Sequence, residues 1–179
     1  MAVLQVVYGY QPIFKQKAQN VENVDSEIKQ TVQNMFDTMY YERAVGLGAN
    51  MVGLLKRIVV ADLFENKVSN PICLVNPEII WKSEEMQTVE EASLSFPGVF
   101  APISRPKSIK ISYLNLDNKK EELEAEGFLS SVLQHEIDYL DGVTIFDHMS
   151  KMKRDLMMKK MEKQMKAHPP HHHSSSCRH

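Results

Sequence analysis

The stretch QHEIDYLDG, Gln134 to Gly142, sets a histidine beside a carboxylate, with a phenol four residues after the histidine. On a helix, positions i and i+4 share a face, and two histidines at that spacing with a glutamate after the first make two metal ligands and a general base. Here Tyr139 stands at the second ligand position, so His135 and Tyr139 point to one place while Glu136 sits to one side. A catalytic zinc or iron site takes about three protein ligands and keeps one position open, so a further ligand has to come from elsewhere in the chain.

The elements that must position these groups are legible in outline. Residues 25–42 place Ile28, Val32, Met35, Phe36 and Met39 at helical spacing, with Asp25 as the expected N-cap. RIVVADL, ICLVNPEII and KSIKISYLNLD are β-branched or alternating runs divided by Asn, Pro and Ser clusters, which predicts strands. After Gly127, Phe128, Val132, His135 and Tyr139 recur at three- and four-residue steps, so the motif lies on a second helix that stops at Asp141-Gly142. A third helix is predicted over 150–166, with Met152, Met157, Met161 and Met165 along one side. The segment 167–179 reads as a disordered His-rich tail.

Bulk properties narrow the function classes. With 179 residues, 43% of them hydrophobic and 25% charged, the chain can bury one sizeable core, and a single domain over 1–166 is expected. A net charge of −2 gives no chain-wide attraction to nucleic acid, so specific DNA binding is not expected. No apolar run approaches the roughly 18 residues that span a bilayer, and the first residues lack the plan of a secretory signal; a cytosolic protein without membrane contact is the expectation. The two cysteines, Cys73 in an apolar run and Cys177 in the tail, suggest no disulfide framework.

Three segments together resemble the peptide deformylase family, which removes the formyl group from the N-terminal methionine of new bacterial-type polypeptides. The family pattern G-φ-G-L-A-A-x-Q falls without gaps on Ala44–Met51, E-G-C-L-S on Glu91–Ser95, and H-E-x-D-H on His135–Tyr139. NPEII at 76–80, SFPGV at 95–99, Arg105-Pro106 and LDGV extend the likeness over roughly residues 3–165. The resemblance implies an α+β fold in which antiparallel strands wrap a central motif helix, with helices at both ends. It also implies that Ser93, His135 and Tyr139 occupy the metal-ligand positions, Glu136 the acid/base position, and Met51 and the Leu94 N–H the oxyanion positions. Val45, Gly46, Leu94 and Val132 are the implied walls of the methionine pocket.

Two of the three ligand positions depart from the family. A serine hydroxyl is a weak neutral donor, and a tyrosine must lose a proton with a pKa of about 10 to ligate well. Met51 replaces a glutamine that donates to the developing oxyanion, and one such donor is worth on the order of 10²–10³ in rate. The expected cofactor is therefore none, or a weakly bound zinc, iron or nickel ion. Tyr139 is expected to pack in the site and hydrogen-bond His135 or Glu136. Ala44 and Ala92, standing where the family has glycine, would be strained if their φ were positive. The leading expectation is a homologue with impaired or lost catalysis that binds N-terminal Met peptides; the alternative is an active metal-dependent deformylase. A third reading makes Ser93 a nucleophile activated by His135, with Glu136 as orienting acid and Leu94 as oxyanion donor. The basic last helix, with seven Lys/Arg against two acids over 151–166, resembles the one by which bacterial deformylases dock near the ribosomal exit tunnel, which makes the ribosome an expected partner.

Overall fold

The computed structural model describes residues 2–64 and 67–167. The 25–42 pattern forms helix α1 (Ser26–Tyr41), and Asp25 caps it as expected, its side chain accepting from the Ile28 N–H at 2.9 Å. Ile28, Val32, Met35 and Met39 turn one face into the core, whereas Phe36 is only partly covered and stacks on Tyr40. Because that cap satisfies a donor the helix cannot, Asp25→Ala is expected to lower unfolding free energy by about 1 kcal/mol, read as a lower denaturant midpoint at unchanged slope.

A five-stranded sheet carries the middle of the chain. It contains β1 (Gly46–Gly48), β2 (Ile58–Ala61), β3 (Ile72–Lys82), β6 (Ser108–Leu114) and β7 (Lys120–Glu126), side by side in that order and antiparallel throughout. β4 (Met86–Ala92) and β5 (Phe100–Pro106) pair as a separate hairpin, from Met86↔Pro106 to Ala92↔Phe100. The three predicted strands appear as β2, β3 and β6; the other four carry no strong strand signal. KEELEAE in β7 favours a helix by propensity. It is held extended because Leu123 and Ala125 pair with Ile111 and Ile109 over the core, while Lys110 reaches Glu124 at 2.9 Å on the outer face.

Helix α2 (Gly127–Leu140) passes through the centre. Leu133, Ile137 and Leu140 join one apolar cluster with Val59, Leu74, Ile109 and Ile111, while Tyr139 joins another with Phe14, Phe96 and Phe146. Apolar surface on both sides leaves Ser130, Ser131, Gln134, His135 and Glu136 buried as well. The helix ends at Asp141, with Gly142 at φ +78°, where the sequence placed its stop.

Helix α3 (Lys151–Ala167) buries Met161 and partly buries Met157, Met158 and Met165. Met152, expected on the same stripe, is 82% exposed. Five residues separate it from Met157, roughly 140° around the helix, so it cannot share that face. Cys73 is half-buried, and its apolar surroundings push its thiol up to about 12, which makes it unreactive. The predicted tail from 168 onward, with Cys177, lies outside the described residues. Among the described residues no helix is long and apolar enough to cross a membrane.

Candidate active site

Three elements converge on one cavity of about 420 Å³. α2 supplies Val132, His135 and Glu136; the end of β4 and the turn after it supply Glu91, Ala92, Ser93 and Leu94; β1 and its flanks supply Val45, Gly46 and Met51. All four residues expected to wall a methionine pocket therefore line the cavity, together with Phe128 and Ser131. β1 approaches α2 closely enough that a Cβ on Gly46 would stand 2.8 Å from Val132 Cγ1 and 3.0 Å from Glu136 Oε1, which explains glycine there. Ala44 and Ala92 carry no such constraint: neither has a positive φ, so the expected strain is absent.

His135 is held by a relay, running from the buried site out to the surface, that the sequence did not reveal. Its Nδ1 donates to Glu91 Oε2 at 2.9 Å; Glu91 receives Arg105 at 2.6 and 3.0 Å; Arg105 reaches Asp138 at 2.7 Å, and Asp138 meets His148 Nε2 at 2.9 Å. Burial pushes the Glu91 carboxyl up, but the His135 hydrogen bond and Arg105 outweigh it and hold the group below its usual range, as an anion. An ionised acceptor at Nδ1 fixes the proton on that nitrogen and leaves Nε2 as the basic one. Glu91 and Asp138 both lie inside the recognised motifs, yet their partners are 44 and 33 residues away, a pairing that no local pattern encodes.

Glu136, expected to one side of the site, lines the cavity and is otherwise buried. Burial raises its pKa above the ordinary value, the neighbouring His135 and the Gly48 backbone pulling only partly the other way, and Oε2 has no hydrogen-bond partner among the described residues. Tyr139 differs from expectation too. Its hydroxyl bonds neither His135 nor Glu136; the ring stacks on the imidazole with centroids 4.7 Å apart and planes at 24°. Two flat rings at i and i+4 on one helix meet face to face, which carries the phenol oxygen past the imidazole edge. It ends beside Ser93 and the Ile145 backbone without a well-aligned hydrogen bond, and burial pushes its pKa far above that of free tyrosine. Phe14 and Phe96 close over the same ring, with centroids 5.9 Å from it.

The donors at the three implied ligand positions are thus one imidazole nitrogen, one neutral hydroxyl and one phenol whose proton is retained by burial. Among the described residues no group of three or more His, Cys, Asp or Glu could hold an ion. This donor set does not fit zinc, iron or nickel, each of which needs charged or imidazole ligands for firm binding. Met51 is buried against the cavity and its thioether has no proton to give, so Leu94 N–H is the donor that remains of the implied oxyanion pair.

Comparison with known proteins agrees with the motifs. The polypeptide deformylase family profile matches residues 3–155. A protein described as peptide deformylase-like, from Rickettsia conorii, is 55% identical over 175 residues, covering 98% of this chain and 96% of its own. A peptide deformylase from Methylocella silvestris is 40% identical over 83% of this chain and 78% of its own. The crystal structure of peptide deformylase from Ehrlichia chaffeensis superimposes with a TM-score of 0.87 at 35% identity, covering 93% of this chain and 98% of that one. A second structure of the Ehrlichia protein, at 36% identity and the same TM-score, is a complex with actinonin. With the profile spanning all three motifs and the fold superimposing almost end to end, this chain belongs to the polypeptide deformylase family.

Proposed function

We propose that this protein, acting as one domain through residue 166, takes the N-terminal methionine end of a peptide into the cavity bounded by Val45, Gly46, Leu94 and Val132 and does not carry out metal-dependent deformylation at a useful rate. The observation that carries this reading is the Tyr139 ring, stacked on His135 at the second ligand position with its hydroxyl kept protonated by burial beside a neutral Ser93. A bound ion would lower the pKa of its water from about 15.7 towards 7; with the ligands present here Glu136 has no such water to deprotonate. Binding uses what remains: apolar walls for the side chain and the Leu94 N–H for a carbonyl oxygen.

The second reading is an active peptide deformylase, and the relatives favour it, since those at 40% and 35% identity carry that name. In that case Ser93, His135 and Tyr139 would hold the ion, Glu136 would move the proton and Leu94 N–H would steady the oxyanion. Metal content by plasma mass spectrometry, on the full chain and on one ending at Ala167 so that tail histidines do not contribute, separates the two. We expect under about a tenth of an ion per shortened chain and no measurable release of formate from formyl-Met peptides, given so weak a donor set. About one ion per shortened chain, lost with His135→Ala, together with formate release lost with Glu136→Gln, would establish the active enzyme.

The basic α3 is the surface by which a ribosome-associated role would act, its lysines meeting rRNA phosphates and its Met157–Met161–Met165 side lying on the domain. The cytosol, where nascent chains emerge, is the compartment that goes with this reading.

A further inference from the structure

Helix α3 is fastened to the domain by thioethers. Among the described residues, the apolar side chains of this helix that pack on the core are Met157, Met158, Met161 and Met165, while Leu156 and Met152 are 61% and 82% exposed. What the helix covers is the segment that leads out of the cavity. Gln164 lies so near Gly98 that a Cβ there would collide with it, and Lys160 stands 5.7 Å from the centre of the Phe100 ring. The Met165 thioether rests on Gly9, where a Cβ would meet its Sδ at 3.3 Å. Gly9 N–H in turn donates to Ser95 O at 2.8 Å, and Phe96 N–H donates to Ser93 O at 3.1 Å. The methionines therefore brace the turn over 95–99, which begins where the cavity residues Ser93 and Leu94 end.

We propose that Met157, Met158 and Met165 are sites of reversible oxidation, and that their sulfoxides release α3 and loosen the 95–99 turn beneath it. This goes beyond the peptide-binding reading and does not rest on it. All three are partly exposed, so a peroxide can reach them, whereas Met161 is 3% exposed and is reached once the helix lifts. The peroxide passes one oxygen atom to Sδ: its O–O bond breaks, an S–O bond forms, the sulfur gives up two electrons, and the reduced oxidant leaves as water or an alcohol. A flexible apolar side chain thereby becomes a polar one in a contact made of carbon and sulfur. At Met165 the new oxygen finds no donor in Gly9, whose N–H is already given to Ser95. A polar group buried without a partner shifts the opening equilibrium by about 10-fold or more for each sulfoxide. Methionine sulfoxide reductases reverse the change, which makes the hold of α3 responsive to peroxide in both directions. Met152 is an internal control, because it is open to the same oxidant but packs on neither apolar cluster.

The test is hydrogen exchange by mass spectrometry on the full chain before and after hydrogen peroxide, with peptide mapping of the oxidised methionines. At a dose that oxidises Met157, Met158 and Met165, amides of α3 and of 95–99 should exchange at least about 10-fold faster while those of β3 and β6 keep their rates. Methionine sulfoxide reductase should return the fast amides to their starting rates. Met157→Leu, Met158→Leu and Met165→Leu made together conserve volume and should keep exchange slow after peroxide, whereas Met152→Leu should leave the response in place. Met165→Gln, a polar side chain of similar length, should speed exchange of α3 with no oxidant present. Three results would each overturn the proposal: no sulfoxide at Met157, Met158 or Met165 when Met152 is fully oxidised, sulfoxides there with unchanged exchange, or equal loosening in the leucine triple variant. Acceleration spread evenly over β3 and β6 would do the same. None of these readouts involves a peptide ligand or a metal, so failure here and failure of the peptide-binding reading are separately visible.

Discussion

Ser93→Cys, Tyr139→His and Met51→Gln made together should take metal content from under about a tenth of an ion to about one per chain, and raise formyl-Met hydrolysis by about 10³-fold or more. The reason lies in what surrounds the three positions. His135 is already oriented by Glu91 and Arg105, as a histidine ligand requires, and the cavity, Glu136 and Leu94 N–H are in place. A thiolate at 93 and a second imidazole at 139 would complete a set of three firm ligands, and an amide at 51 would restore the second oxyanion donor. The exchange has a cost, because trimming Tyr139 leaves space between Phe14 and Phe96 and should lower stability by roughly 1–3 kcal/mol. Metal by plasma mass spectrometry and formate release, measured on the triple variant and on each single change, check it. A variant that binds a full ion yet releases no formate would move the obstacle to the methyl groups of Ala44 and Ala92, both of which line the cavity.

The second large effect concerns stability. Arg105→Ala is expected to cost about 3–5 kcal/mol near neutral pH, because it strips a buried carboxylate of its cation rather than removing a solvated surface pair. Both side chains of the Arg105–Glu91 pair are 6% exposed, and Asp138 loses the same partner. The pH dependence has a definite sign. Glu91 is held below its ordinary value of 4.5 by His135 and Arg105 against the opposing effect of burial, so the stability it contributes is fully present above that value and is lost as pH falls through the folded-state pKa. The gap between the parent chain and Arg105→Ala should therefore be widest near pH 7 and narrow below about 4.5. Denaturant midpoints at several pH values would show this; a loss under about 1 kcal/mol at neutral pH would mean that water reaches the pair and screens it.

The relay and the aromatic stack also explain where the reading of the chain ran out. Asp25 as N-cap, the buried stripe of α1, the stop of α2 at Asp141-Gly142 and strands β2, β3 and β6 rest on periodicity and on cap and turn chemistry, all written within a few residues. β7 escaped because its residues favour a helix and are extended only by pairing with β6. The place of Met152 was misjudged because a spacing of five does not repeat on a helix.

For the site, the sequence by itself determined which side chains meet: three short motifs implied the ligand positions, the acid and the apolar walls, and the cavity collects all of them but Tyr139, which packs behind His135. It also determined that two of the implied ligand positions hold the neutral hydroxyls of Ser93 and Tyr139. What only the tertiary structure decided is the state of those groups. That Glu91 rather than Glu136 orients His135, that Glu136 is buried without a partner for Oε2, and that Tyr139 stacks instead of hydrogen-bonding all depend on which atoms are within 3 Å and how much water is left around them. Spacing along a chain fixes direction, while proton affinity and partner choice follow from desolvation and contacts made by segments far apart in sequence.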